Sequence, residues 1–98
     1  MAYAYKNTYT RPSTSIPFFE YTNEFNQHVQ TAYKDTNKII YASIVDSPDG
    51  LVQVRTTYFG TEADWIDFCS DPEIFPMFQE RQAYHESVGI TMKREIIV

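Results

Sequence analysis

The sequence contains few of the residues that most often mark a reactive or cofactor-binding site. Its 98 residues include one cysteine and three glycines. A single thiol, Cys69, excludes an internal disulfide and a metal site built from several cysteines. Each glycine has a structural explanation: Gly50 suits a turn, Gly60 ends a strand and Gly89 suits a helix C-cap. No phosphate-binding glycine loop is left, so we predict no nucleotide site.

Long hydrophobic runs and positive charge are also scarce. No stretch approaches the roughly 20 apolar residues of a membrane span, and the amino-terminal stretch lacks the apolar run of a signal peptide. Eight basic residues stand against 13 acidic ones, giving a formal charge of −5. Nucleic acids and anionic membranes are bound through clustered Lys and Arg, which this chain lacks. We therefore predict a cytoplasmic protein with neither nucleic-acid nor membrane partners.

Aromatic residues, in contrast, are abundant, at 16% of the chain. The length fits one domain over residues 1–98. The aromatic residues supply more apolar side-chain mass than a small sheet with helices on one side requires. A second buried surface follows from that excess, and a homodimer is its simplest form.

The spacing of apolar residues predicts the order strand, helix, strand, strand, helix, strand. Period-two alternation places Tyr3, Tyr5, Asn7 and Tyr9 on one side of the first strand. Ser15 is the expected cap of the first helix, and Thr61 begins a capping box at the second helical region. The predicted strands are 2–10, 38–46, 51–59 and 90–98, and the predicted helices are 16–35, 61–69 and about 73–88.

This order is the ferredoxin-like α+β arrangement, βαββαβ, in which a four-stranded antiparallel sheet carries its helices on one face. Strands 38–46 and 51–59 are apolar on both faces, although helices cover only one. We therefore expect a second copy of the sheet to cover the other face.

Several polar residues were weighed as site candidates. His28 and His85 fall on different helices without metal-ligand spacing, so we predict no metal site. His28 fits a half-buried helix position, and Cys69 fits a small buried hydrophobe. Arg55 and Gln53 form a polar pair in an apolar strand, which suits either a ligand or a dimer seam. The acidic residues of the second helical region are expected on a solvated face with capping roles: Glu62, Asp64, Asp67, Asp71 and Glu73.

Three stretches together carry a family resemblance: AYAYKNTYTRP, IVDSPDGLVQV and TTYFGTEADWIDFCSDPEIF. Their layout resembles the dimeric α+β-barrel superfamily, in particular its antibiotic-biosynthesis-monooxygenase-like group. The resemblance implies two ferredoxin-like subunits packed sheet against sheet, with a pocket between each sheet and its helices.

The resemblance also suggests individual site residues. Cofactor-free oxygenases and haem-degrading members of the group place an Asn on the first strand, where this chain has Asn7. The haem-degrading branch has a Trp at the end of the third strand, where this chain has Phe59. That branch also has a His early in the last helix, where this chain reads IFPMFQ and His85 comes later. Trp65 lies one helical turn beyond the family's Trp and is not its equivalent. We predict no cofactor.

Three functions follow as hypotheses. The first is a dimer that binds an apolar or aromatic small molecule in a pocket between sheet and helices. The second is a monooxygenase-like enzyme without a cofactor, acting on an aromatic substrate, with Asn7 and His85 as its catalytic residues. The third is a structural dimer without a ligand. The expected ligand-binding residues are Tyr5, Asn7, Arg55, Phe59 and Trp65.

Overall fold

The computed structural model of the chain describes residues 2–97. It contains four strands, three α-helices and one π-helical segment. The first helix, Asn23–Val29, runs directly into the π-helical segment, Gln30–Lys34, whose Gln30 carbonyl accepts a hydrogen bond from the Asp35 amide at 2.8 Å. In chain order the elements are β1 (Tyr3–Thr10), α1 (Asn23–Val29), β2 (Ile39–Asp46), β3 (Val52–Phe59), α2 (Glu62–Ser70), α3 (Phe75–Val88) and β4 (Thr91–Ile96).

The strands form one antiparallel sheet in the order β2-β3-β1-β4. This is the ferredoxin-like arrangement, and the predicted fold class is confirmed. The sequence-based bounds of all four strands lie within two residues of the observed ones. The hairpin between β2 and β3 turns at Gly50, whose φ of +75° is readily adopted by glycine.

The core lies between the sheet and the helices. Tyr5, Ile39 and Phe59 project from the sheet, and they pack against Phe25 of α1 and Phe68 of α2. The Phe59 and Phe68 rings are 5.4 Å apart, and the Tyr33 and Phe68 rings are 5.1 Å apart. Each such buried aromatic contributes on the order of 1.5–3 kcal/mol, so this aromatic layer stabilises much of the small domain.

The opposite side of the sheet, which we call the open face, has no helix over it among residues 2–97. The strand register places Tyr41 and Val45 of β2 on this face, beside their partners Tyr58 and Val54 of β3. Tyr41 is 58% exposed and Val45 is 61% exposed. Apolar side chains on both sides of these strands were predicted, and the open face carries Tyr41 and Val45 of β2 with Val54 and Tyr58 of β3.

The start of the first helix was predicted wrongly. The helix begins at Asn23 rather than near Ile16, and its cap is Thr22 rather than Ser15. The Thr22 hydroxyl accepts a hydrogen bond from the Phe25 amide at 3.1 Å. Residues 17–21 are not helical, because side chains from elsewhere bind their carbonyls: Tyr84 donates to Pro17, and Arg55 donates to Phe19.

Two other predicted helix boundaries are confirmed. Thr61 caps α2 by accepting a hydrogen bond from the Asp64 amide at 3.1 Å. Gly89 ends α3 in the left-handed conformation, with φ of +80°, and its amide donates to the His85 carbonyl at 2.9 Å. None of the helices within residues 2–97 is long and apolar enough to cross a membrane.

The difference between the two caps gives the first prediction. Thr22→Ala removes the side-chain acceptor at the start of α1 and should lower the free energy of unfolding by about 1 kcal/mol. Ser15→Ala is the matched control, because Ser15 lies in an exposed turn. Its effect should stay within about 0.5 kcal/mol. Urea denaturation of both variants measures the difference, and a larger loss for Ser15→Ala would contradict this helix start.

Candidate functional site

A cavity of about 170 Å³ lies between the sheet and the helices. We call it the inner cavity. Residues of β1, β2 and β3 form its floor, and residues of α1, α2 and α3 form its roof. One end is apolar and aromatic, and the other end carries amide, hydroxyl and guanidinium groups. The residues used below to describe it are Tyr5, Asn7, Tyr9, Tyr21, Phe25, Arg55, Thr57, Phe68 and Arg81.

The register of the sheet places two arginines beside Asn7. Arg55 of β3 and Arg94 of β4 are its direct partners on the neighbouring strands. Arg94 Nε donates to Asn7 Oδ1 at 3.0 Å, and Asn7 Nδ2 in turn lies 3.2 Å from the Tyr9 hydroxyl oxygen. Because a guanidinium can only donate, the Asn7 carbonyl must face Arg94, and the amide nitrogen is left to donate to Tyr9.

Arg81 of α3 brings a third guanidinium to the same place. Its side chain is buried, with 6% exposure. Arg81 Nη1 donates to the hydroxyls of Tyr9 at 3.1 Å and Tyr21 at 2.8 Å. The guanidinium also lies 4.9 Å from the centre of the Phe78 ring. Hydroxyl oxygens and aromatic faces stabilise this charge in the absence of water.

The Tyr9 ring is held between two of these cations. The guanidinium carbon of Arg55 lies 5.1 Å from the ring centre, and that of Arg81 lies 5.8 Å from it. Within residues 2–97, neither Arg55 nor Arg81 forms a salt bridge with a carboxylate. The polar end of the inner cavity therefore carries uncompensated positive charge.

Burial and these cations shift the pKa values of nearby groups. Burial raises the pKa of Tyr5 to about 12, although Arg94 opposes the shift. Burial also raises the pKa of Tyr21, against the effect of Arg81. Both phenols are therefore protonated at neutral pH, and each can donate a hydrogen bond as well as accept one.

A larger surface depression adjoins the inner cavity, and we call it the outer cleft. It has a volume of about 580 Å³ and lies between residues 17–23, β2 and β3. Tyr21, Asn26 and Arg55 line both spaces, so the two are neighbours. A ligand in the inner cavity has room to extend toward solvent through this cleft.

Three of the five expected ligand-binding residues, Tyr5, Asn7 and Arg55, line the inner cavity. Phe59 and Trp65 do not. Phe59 is fully buried core beneath Tyr5, at a ring distance of 6.1 Å. Trp65 stacks on Tyr3 at 4.6 Å, and its indole nitrogen is buried without a hydrogen-bond partner among residues 2–97.

His85, the second expected catalytic residue, lies behind Tyr9 rather than at the cavity wall. Its ring contacts the Tyr9 ring at 5.4 Å and is buried, with 7% exposure. Burial lowers the pKa of His85, and Arg81 and Arg55 lower it further. His85 is therefore neutral at pH 7 and packs in the core, and a catalytic role for it stays a prediction.

His28 was expected to be a half-buried helix residue, and it is, but its surroundings were not foreseen. Its ring nitrogens lie 2.7 Å from an Asp71 oxygen and 2.8 Å from a Glu73 oxygen, and within residues 2–97 these three side chains are close enough together to hold a metal ion. Each ring nitrogen thus faces a carboxylate. Asp71 was expected on a solvated face; it is instead 14% exposed and also accepts from the Tyr33 hydroxyl at 2.7 Å.

Three residues of the site were not predicted from sequence: Tyr21, Arg81 and Arg94. Arg81 occupies the helical stripe that continues through Phe78 and His85, where an isolated charge among apolar positions is a usable signal. Arg94 similarly lies between Met92 and Ile96 on one face of β4, where an isolated charge stands among apolar positions. Tyr21 was assigned to a helix, so its position at the mouth of the cavity was not visible.

The folded chain is similar to several solved structures. A variant of SnoaB, a cofactor-independent oxygenase of Streptomyces nogalater, matches with a TM-score of 0.65 and 11% identity, over 99% of this chain and 91% of that chain. A dimeric ferredoxin-like protein from an uncultured marine organism matches at 0.56 and 12%, over 99% and 95%. A monooxygenase of Streptomyces coelicolor, solved with the ligand nanaomycin D, matches at 0.53 and 12%, over 98% and 87%.

Neither a protein-family model nor a curated protein sequence matches this chain. At the identities found, the similar structures show the fold alone. The resemblance to the antibiotic-biosynthesis-monooxygenase-like group, drawn from sequence, is therefore confirmed at the level of its ferredoxin-like fold.

The lowered pKa of His85 predicts a pH dependence of stability. The unfolded chain binds a proton at His85 near the ordinary value of 6.5, whereas the folded chain binds it only at lower pH. The contribution of His85 is therefore complete above pH 6.5 and is lost as the pH falls, by at most about 1.4 kcal/mol per pH unit.

Urea unfolding of the wild type and of His85→Gln between pH 7.5 and pH 5 measures this contribution. The wild type should lose stability more steeply than the variant as the pH falls. Equal slopes would show that His85 titrates alike in the folded and unfolded chains. The comparison of slopes holds even if the substitution lowers stability at every pH.

Proposed function

We propose that the protein binds an aromatic small molecule in the inner cavity. The observation that carries this proposal is the division of the cavity into an aromatic end and a polar end. Tyr5, Phe25 and Phe68 offer ring surfaces, while Asn7 and the hydroxyls of Tyr9 and Tyr21 orient a ligand by hydrogen bonds. Binding sites for small molecules commonly combine apolar walls with a few placed polar groups.

The volume of the inner cavity supports a ligand of limited size. A buried apolar cavity of about 150 Å³ in another protein accepts benzene. A cavity of about 170 Å³ accordingly suits a single aromatic ring. Larger ring systems would extend into the outer cleft past Tyr21 and Arg55.

We also infer that two chains associate through their open faces. Tyr41 and Val45 expose more than half of their surface there, and the Tyr41 and Tyr58 rings contact each other at 5.7 Å. Apolar side chains on an uncovered sheet favour association with a second apolar surface. A monooxygenase-like activity stays a prediction from the resemblance, because a fold shared at this identity does not carry an activity.

Filling the inner cavity tests the ligand proposal. The neutral probe benzamide should bind the wild type in the millimolar range or tighter and shift the NMR signals of Tyr9, Tyr21 and Phe25. Thr57→Trp places an indole at the cavity floor and should abolish these shifts. Gln82→Trp is the control, because Gln82 is an exposed residue of α3 outside the cavity and away from the open face. Unchanged binding by Thr57→Trp, or no binding by the wild type, would contradict the proposal.

A pair of neighbouring residues tests the dimer. Val45 and Ile44 are 61% and 62% exposed but lie on opposite sides of β2. Val45→Glu places a charge on the open face and should convert the dimer to a monomer in light scattering at micromolar concentration. Ile44→Glu, on the helix side, should leave the dimer intact. A monomeric wild type, or the reverse response of the two variants, would contradict the proposed association.

A further inference from the structure

We propose that the ligand of the inner cavity is a single-ring aromatic carboxylate, whose anionic group is bound by Arg55, Arg81 and the Tyr9 hydroxyl. This inference rests on the proposed function, because it names the chemical class of ligand for the same cavity. It is drawn from the balance of hydrogen-bond donors and acceptors at the polar end.

Donors outnumber acceptors at that end. The Tyr9 hydroxyl oxygen receives hydrogen bonds from Asn7 at 3.2 Å and Arg81 at 3.1 Å. Both lone pairs of this oxygen are thus used, yet the Tyr9 O–H donates to no acceptor within residues 2–97. Tyr9 is 2% exposed, so bulk water does not readily fill this role. A buried donor without an acceptor costs free energy, and a ligand oxygen would remove that cost.

Tyr21 and Arg81 also have hydrogen-bond donors without acceptors within residues 2–97. The Tyr21 hydroxyl accepts from Arg81 at 2.8 Å and donates to no acceptor in the described part of the chain. Arg81 donates only through Nη1 within residues 2–97, which leaves its other nitrogens to a ligand. The chain of bonds from Arg94 through Asn7 to Tyr9 runs in one direction and polarises the Tyr9 O–H as a donor.

The charges of these groups determine that the ligand's acceptor is anionic. Arg55 and Arg81 both line the inner cavity and have no carboxylate partner within residues 2–97. Within residues 2–97, Glu20 is the one carboxylate that lines the outer cleft; it is exposed and takes part in none of the salt bridges found there. His85, the titratable group behind Tyr9, adds no negative charge. An anion bound here would meet Arg55 and Arg81, and no carboxylate is among the described residues that line the inner cavity.

A carboxylate fits this arrangement better than a phenolate does. The unfilled donors belong to separate side chains, and a carboxylate offers two oxygens that together accept about four hydrogen bonds. Guanidinium groups bind a carboxylate with two parallel hydrogen bonds, which also fixes its orientation. The ring of the ligand then faces Tyr5, Phe25 and Phe68, and the volume of the inner cavity limits it to one ring.

Three probes that differ in one group test the inference by calorimetry at pH 7.5: benzoate, its neutral isostere benzamide, and 4-nitrophenolate. Benzoate should bind at least about tenfold more tightly than benzamide, because a charge-assisted hydrogen bond is worth more than a neutral one. Arg81→Met should remove that preference, so that benzoate and benzamide bind the variant with similar affinity. Lys93→Met, which removes a charge from an exposed site, is the control and should keep the preference.

Each contrary result has its own meaning. Equal binding of benzoate and benzamide would overturn the carboxylate inference and leave the proposed function intact. Tight binding of 4-nitrophenolate without benzoate would overturn it in favour of a phenolate site. Binding of none of the three would overturn both proposals. If Arg81→Met does not fold, Arg55→Met provides the second variant, and the comparison of probes with the wild type needs no substitution.

Discussion

The buried charge of Arg81 is the constraint on which the rest of the site depends. A guanidinium withdrawn from water must be satisfied within the protein, and here the hydroxyls of Tyr9 and Tyr21 and the face of Phe78 satisfy it. These contacts tie α3 to the first strand and to the segment before α1. Because none of them supplies negative charge, the domain retains a cation at its centre. The hydrogen bonds of Arg81 hold the sheet, the helix and the loop around the site, but they leave its positive charge without a negative partner.

Most of the fold could be predicted from sequence because its signals are local. Alternation in β1, the turn at Gly50, the Thr61 cap and the Gly89 cap are each decided by residues close together in the chain. The start of α1 could not be predicted in this way. Phe18, Tyr21 and Phe25 have helical spacing, yet the carbonyls of Pro17 and Phe19 accept hydrogen bonds from Tyr84 and Arg55, which lie more than 30 positions away in the chain. Tertiary hydrogen bonds override a local pattern when they satisfy the backbone in another conformation.

The candidate site was predictable where it depends on strand alternation and not where it depends on helix placement. Tyr5 and Asn7 share one face of β1, and the register adds Arg55 beside Asn7. Trp65 was expected nearby because a helix following β3 had to cross the sheet, but its position along that sheet depends on how α2 packs. The structure sets it against Tyr3, beyond the core residue Phe59. Arg81 was overlooked because a charge in a helix usually faces solvent, and only the packing of α3 shows that it does not.

The net charge of the chain is negative, whereas the charge at its candidate site is positive. A protein with formal charge −5 repels anions at a distance, but this repulsion is screened beyond roughly 10 Å at physiological salt. Arg55 and Arg81 line the polar end of the cavity, and aromatic walls lower the local dielectric, which strengthens their effect. Long-range steering therefore does not favour an anionic ligand here. Its affinity would come instead from short hydrogen bonds that form after the anion has lost its hydration water. Selectivity between anionic and neutral rings therefore depends on how completely the ligand satisfies the hydrogen-bond donors at the polar end of the cavity.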